Sequence, residues 1–161
     1  ILRERGMTQR NQTNLTLLGS KHTHYPEHYD PDLLEVFNNP HLHHDYWVNF
    51  DCPEFTTLCP ITGQPDFATI LINYIPNLKM VESKSLKLYL FSYRNHRGFH
   101  EDEVNQIMLD LWQKMQPKYI EVLGLFTPRG GIAIRPFVNY AIQEDRWQQL
   151  TKKRFEDFSL I

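Results

Sequence analysis

The order in which the hydrophobic period changes along the chain does most to restrict its fold. Tyr46, Val48 and Phe50 alternate with Trp47, Asn49 and Asp51, the period of a strand with one buried face. Pro53 interrupts that alternation, and residues 54–58 continue as a short extended piece. Residues 59–66 contain Pro60, Gly63 and Pro65 and are expected to be irregular. Residues 67–75, rich in β-branched side chains and closed by Pro76, predict a second strand. Residues 80–82 read as extended, and the period then lengthens. Leu86, Tyr89, Leu90 and Tyr93 fall on one helical stripe that should end near Gly98. A second helix opens at His100-Glu101-Asp102, where acids suit a helix N-terminus. It carries Val104, Ile107, Met108, Leu111 and Met115 on one stripe and stops at Pro117. Residues 119–126 and 132–140 predict two more strands, joined through residues 127–131, and residues 144–158 a terminal helix.

The order β, β, α, α, β, β excludes a doubly wound nucleotide-binding sheet, which alternates strands with helices and carries a glycine fingerprint that is missing here. It predicts instead an α+β fold, an antiparallel sheet with two helices packed on one face. A chain of 161 residues fits a single domain. Its expected division is a core over about 43–140, an N-terminal arm over 1–42 and a C-terminal tail over 141–161. The arm carries Arg3, Arg5 and Arg10, with Leu17-Leu18 and Leu33-Leu34 able to pin it to the body.

Seventeen Lys and Arg against 19 Asp and Glu give a net charge of -2, which argues against a protein built to grip nucleic-acid phosphates. The longest apolar run, around 67–75, is broken by Thr69 and Asn73 and is too short to span a membrane. The chain opens on Ile1, so further residues are expected before it, and no signal-peptide pattern follows. Cys52 and Cys59 cannot make a disulfide framework, and a reducing cytoplasm is the expected location.

Cys59 lies in the kinked segment directly after a strand, and Asp66 follows where the chain re-enters the sheet. A thiolate is the attacking form of cysteine, and a neighbouring carboxyl can move its proton. The competing reading is a buried structural thiol, which is how Cys52 is read. A buried Glu101 could accept two parallel hydrogen bonds from a guanine-like edge, and His100 could donate to substrate or relay a proton. Both are equally compatible with a solvated helix start. Residues 81–89 join a strand to a helix whose start offers N–H groups, a hydroxyl and the Lys84 ammonium to a phosphate. Arg129-Gly130-Gly131 is either a plain hairpin tip or a turn that brings an Arg to a diphosphate. The histidines at 22, 24, 28, 41, 43 and 44 lack the cysteine or H-E-x-x-H context of a zinc site, and no metal is expected.

Three strings together, FTTLCPITGQPDF at 55–67, VESKSLKLY at 81–89 and FHED at 99–102, resemble the NADPH-dependent 7-cyano-7-deazaguanine reductases in their short form. These are the nitrile reductases of queuosine biosynthesis, a tRNA modification. The similarity runs from about residue 17 to residue 140, with FTPRGG at 126–131 also in the family's style. It implies the tunnelling fold shared with GTP cyclohydrolase I, in which β-β-α-α-β-β subunits join their sheets into a barrel. It further implies a homodecamer of two stacked pentamers, with sites between subunits.

By the same resemblance, Cys59 adds to the nitrile carbon to form a covalent thioimide, and Asp66 donates the proton. Val81, Glu82, Ser83, His100 and Glu101 bind the deazapurine, Glu101 reading its edge. Ser83, Lys84, Arg129 and Gly130 contact NADPH. Nitrile and amine differ by four electrons, so two NADPH are expected per 7-aminomethyl product. Glu103 stands where some relatives carry a second cysteine, so a disulfide from Cys59 to that position is impossible in this chain. Two competing classes share the fold: a zinc hydrolase resembling GTP cyclohydrolase, and a non-catalytic purine- or pterin-binding module. Stoichiometric zinc would mark the first, and ligand binding with no change in nicotinamide absorbance the second.

Overall fold

In chain order the elements are β1 (Val36–Asn38), β2 (Val48–Leu58), β3 (Pro65–Ile75), β4 (Lys79–Val81), α1 (Ser83–Phe91), α2 (His100–Met115), β5 (Tyr119–Phe126), β6 (Phe137–Ala141) and α3 (Asp145–Glu156). Short 3-10 turns occupy Pro31–Leu33 and Ser92–Asn95. The structure is a computed structural model and describes residues 15–19 and 22–159.

The main sheet is antiparallel in the order β2-β3-β5-β6, and β1 pairs with β4 in a second, two-stranded sheet. Strand period decides which side chains are covered. On β3 the even-numbered residues Ala68, Ile70, Ile72 and Tyr74 are buried, because alternate side chains point to one face. They meet Leu86 and Tyr89 of α1 and Val104, Ile107 and Leu111 of α2 in one apolar core. Both helices therefore cover the same face, as the α+β reading requires. None of the helices among the described residues is long and apolar enough to cross a membrane.

The structure shifts several expected boundaries. Pro53 does not interrupt the first strand, because β2 advances three residues from Cys52 to Phe55 while β3 advances two, from Ile70 to Ala68. That bulge absorbs a proline on an edge strand. It also keeps both Cys52 and Phe55 packed against the core. The helical stripe expected to reach Gly98 ends as α-helix at Phe91 and tightens into the 3-10 turn, with Tyr93 still buried. The last strand begins at Phe137 rather than 132. Pro136 accepts from the Gly124 N–H at 3.0 Å but has no N–H to return, so regular pairing starts after it.

The expected arm over 1–42 needs the largest correction. Leu34 is 4% exposed and belongs to the core. The Tyr29 hydroxyl donates to Asp110 at 2.6 Å, and β1 adds a strand beside β4. The stretch from Tyr29 to Asn39 is therefore part of the body, in segments too short to display a period. Arg3, Arg5 and Arg10 lie outside the described residues.

At the other end, α3 packs Trp147 against Ile75, Tyr119 and Ala141. Arg154 donates to Glu121 at 2.6 and 3.0 Å. Burial alone would raise the Glu121 carboxyl, but Arg154, Tyr119 and Asn73 outweigh it and hold that group below the usual carboxylate range.

Truncating Leu34 tests the revised boundary. Leu34→Ala should destabilise the protein by about 2–5 kcal/mol, the usual range for a buried leucine, read from the denaturant midpoint. A shift near zero would return this stretch to the status of a loose arm.

Candidate active site

Asp66 is placed by strand period. It is the first inward-facing residue of β3, in line with Ala68 and Ile70, and is 3% exposed. A carboxylate at a core position needs partners, and two reach it from distant parts of the chain. Arg129 donates through Nη1 to Oδ1 at 2.6 Å. His100, the first residue of α2, places Nε2 3.2 Å from Oδ2. The His100 ring stacks on Phe126 of β5, with centroids 3.8 Å apart and planes 10° apart. Its orientation is thereby fixed by packing as well as by Asp66.

Arg129 is aimed by a two-residue hairpin. The backbones of Arg129 and Ile132 exchange N–H···O bonds of 3.1 and 3.0 Å around Gly130 and Gly131. Both glycines have positive φ, 58° and 82°, the conformation that favours glycine in such a tip. Arg129 also donates to the Gln64 side chain at 2.7 Å, which ties the hairpin to the loop carrying Cys59.

That loop connects β2 to β3 and is closed by its own backbone. The Cys59 N–H donates to the Gln64 carbonyl at 2.8 Å, and the Gly63 N–H donates to the Cys59 carbonyl at 2.9 Å. Gly63 has a φ of 70°, and a Cβ there would come within 3.0 Å of the Arg97 guanidinium. The half-buried Cys59 thiol is pulled down to about 7. The Thr62 hydroxyl contributes most, the N–H groups of Thr62 and Ile61 follow, and Arg129 adds less. Cys52 behaves oppositely: burial first, and then Asp51, push it up to about 11. The two thiols thus differ in surroundings, Cys59 among the donors of an irregular loop and Cys52 packed against the core.

Comparison with known proteins decides the family. The model of the family described as QueF-like protein matches residues 65–145. A Porphyromonas gingivalis protein is 66% identical over 145 residues, covering 90% of this chain and 94% of its own. A Parabacteroides distasonis protein is 61% identical over 152 residues, covering 94% and 96%. Both bear the name NADPH-dependent 7-cyano-7-deazaguanine reductase. The chain belongs to that reductase family. A Neisseria gonorrhoeae protein of the same name is 63% identical over 140 residues, covering 87% of this chain and 89% of its own. The crystal structure of an apo archaeosine synthase QueF-Like superposes with a TM-score of 0.52 at 18% identity, over 59% of this chain and 91% of that one. That likeness supports the tunnelling fold alone.

Within the family frame, the expected site residues fall into two groups. Cys59, Asp66, His100 and Arg129 converge at one end of the main sheet, linked by the contacts above. Val81 to Lys84 lie at the β4–α1 junction. There Val81 is buried in the core, and Glu82 caps α1 by accepting from the Lys84 and Ser85 N–H groups, both at 2.8 Å. Lys84 donates to the Leu17 carbonyl at 2.7 Å, and Ser83 is exposed. Glu101 is exposed on the first turn of α2 rather than buried. A Cβ added at Gly130 or Gly131 would meet no atom within 4 Å, so the hairpin tip is open space. Among the described residues, no three His, Cys, Asp or Glu side chains are grouped to hold a metal ion.

Sequence reasoning missed Thr62 and Gln64, whose work depends on loop geometry although both lie inside the recognised string. Arg129, read from the sequence as either a plain hairpin residue or a diphosphate contact, has its guanidinium on Asp66 and Gln64 in this structure.

Alkylation separates these features. Cys59 should react with iodoacetamide along a titration centred near pH 7, while Cys52 stays inert through pH 8. Arg129→Ala should move the Cys59 midpoint upward, since a nearby cation favours the thiolate. An unmoved midpoint would remove Arg129 from the thiol's environment.

Proposed function

We propose that this chain reduces 7-cyano-7-deazaguanine to its 7-aminomethyl counterpart with NADPH, through a thioimide on Cys59. The observation that carries the reading is the placing of Cys59 on a loop fastened through Gln64 to the arginine that clamps Asp66, among donors that lower its thiol to about 7. A nitrile is a poor hydride acceptor until it is activated. The Cys59 thiolate adds to the nitrile carbon, forming the C–S bond. The proton given up by the Cys59 sulfur ends on the nitrile nitrogen, with Asp66 carrying it and His100 orienting Asp66. NADPH supplies hydride to carbon when bound, once to the thioimide and once to the imine. Return of the C–S bonding pair to sulfur releases Cys59 between those two transfers. Each transfer takes up one proton, so nitrile, two NADPH and two protons become amine and two NADP+.

The position of Val81–Ser83 at the β4–α1 junction and the exposure of Glu101 support a site completed between subunits around the end of the sheet that carries Cys59. So do exposed apolar residues near that end: Ile61 at 78%, Phe99 at 62% and Ile132 at 69%. Such side chains on one rim mark an interaction surface. Among the described residues β2 and β6 are the outer strands of the main sheet, and outer strands can extend a sheet into a neighbour. A homodecamer of two pentamers with shared sites accommodates all of these features. In it Val81 to Ser83 would hold the deazapurine with Glu101 on its edge, and Ser83, Lys84, Arg129 and Gly130 would face NADPH. The two free thiols suit a reducing cytoplasm.

Intact-mass measurement tests the proposal. The nitrile without NADPH should add its own mass to the protein, and Cys59→Ala should abolish the adduct. Two NADPH should be consumed per amine formed. An unmodified wild-type protein after incubation with the nitrile would refute covalent catalysis, and one NADPH per product would refute reduction to the amine.

A further inference from the structure

Of the buried acids that the mechanism does not use, Glu103 lies nearest in sequence to His100. Glu103 is 1% exposed in the first turns of α2, three residues after His100 and therefore on the same helix face. One carboxyl oxygen, Oε1, hydrogen-bonds the Thr57 hydroxyl, and the other, Oε2, is buried without a partner among the described residues. Thr57 pairs directly across from Asp66 in the β2–β3 register. Thr57, Asp66, His100 and Glu103 thus form one cluster, two from the sheet and two from the helix.

Counting protons in that cluster constrains its state. The Thr57 hydroxyl has one hydrogen and lies against two oxygens, Glu103 Oε1 and the His96 carbonyl, the latter at 3.0 Å. If Thr57 donates to the carbonyl, the bond to Glu103 needs a hydrogen on Glu103. If Thr57 donates to Glu103 instead, an anion sits buried with one oxygen unpaired. The charged groups acting on Glu103 are Asp66 from β3 and Asp102 from its own helix, both acidic. Tyr93 faces it from the 3-10 turn, and a Cβ on Gly98 would come within 2.8 Å of Oε1. An uncompensated buried charge is the costlier arrangement.

We propose that Glu103 is held as a neutral acid that donates to Thr57, and that this neutrality keeps a second carboxylate from forming beside Asp66. Glu103 is then a positioning residue. Its bond fixes Thr57 against the His96 carbonyl, which also accepts from the Leu58 N–H at 2.9 Å, immediately before Cys59. Loss of its proton would place a second anion beside Asp66 and loosen that junction. Burial, the largest influence, together with Asp66 and Asp102, raises the carboxyl from 4.5 to about 8, which agrees with the geometric assignment. A group raised in the folded state contributes full stability below about 4.5 and loses it as pH climbs toward about 8. The inference rests on the Cys59–Asp66 reading for its catalytic meaning only.

Infrared titration of the full chain without substrate tests the protonation directly. A carboxylic C=O band should persist at pH 7, fade as pH passes about 8, and be missing from Glu103→Gln. Glu103→Ala, which leaves Thr57 unpaired, should lower kcat/KM about tenfold at pH 7, the effect of losing one buried hydrogen bond. Glu103→Gln should restore most of that loss and remove the fall in kcat/KM that the wild type should show as pH passes about 8. It should also melt above the wild type at pH 8, with the gap closing toward pH 4.5. Absence of the band at pH 7, a Glu103→Gln protein that fails to fold, or an alkaline limb unchanged in that variant would each overturn the proposal. A missing band with intact adduct formation at Cys59 would sink this inference alone. A present band with no adduct would sink the nitrile reading and leave Glu103 a neutral structural acid.

Discussion

One carboxylate, Asp66, is where distant stretches of the chain are made to meet. It occupies a core-facing position on β3 because strand period puts it there, and a charge at such a position persists only with partners. Arg129, from a hairpin 63 residues later, and His100, from the start of α2, supply them. Arg129 also holds Gln64, and Gln64 closes the loop on Cys59. The ion pairs that make Asp66 tolerable in the fold are thus the contacts that assemble the candidate site.

Two thiols in one chain show how local structure sets chemistry. Cys52 lies on β2 at the bulge, packed against the core, and burial keeps it protonated. Cys59 lies seven residues on, in a loop whose Thr62 hydroxyl and N–H groups favour the anion. Residue type is the same. The difference is that a strand turns Cys52 toward hydrocarbon while the turn after it aims donors at Cys59. Glu103 extends the contrast to acids, since Asp66 accepts from the Arg129 guanidinium whereas the charged groups acting on Glu103 are acidic.

The sequence made the sheet and both packed helices readable because their periods run for many residues. Ile70, Ile72 and Tyr74, or Val104, Ile107 and Leu111, each repeat one template. The strand at Val36–Asn38 was hidden by its length, and its pairing with Lys79–Val81 is a tertiary fact. Cys59 and Asp66 were legible from their place around a loop. The contact between Arg129 and Asp66 was not, because nothing local to either residue specifies a partner so far along the chain. Glu101, read from the sequence either as a solvated helix start or as a buried edge-reader, is exposed, because it lies on the side of the first turn of α2 that nothing among the described residues covers. That covering belongs to the proposed assembly of subunits.

The central claim is that Asp66 serves proton transfer to the nitrile while Cys59 owes its reactivity to its own loop. Rapid mixing of Asp66→Asn with 7-cyano-7-deazaguanine, following thioimide formation in the absence of NADPH, separates the two directly. The account predicts that the variant alkylates at Cys59 as readily as the wild type yet forms the adduct at least about a hundredfold more slowly, the lower range for loss of a positioned acid. Adduct formation at the wild-type rate would contradict it.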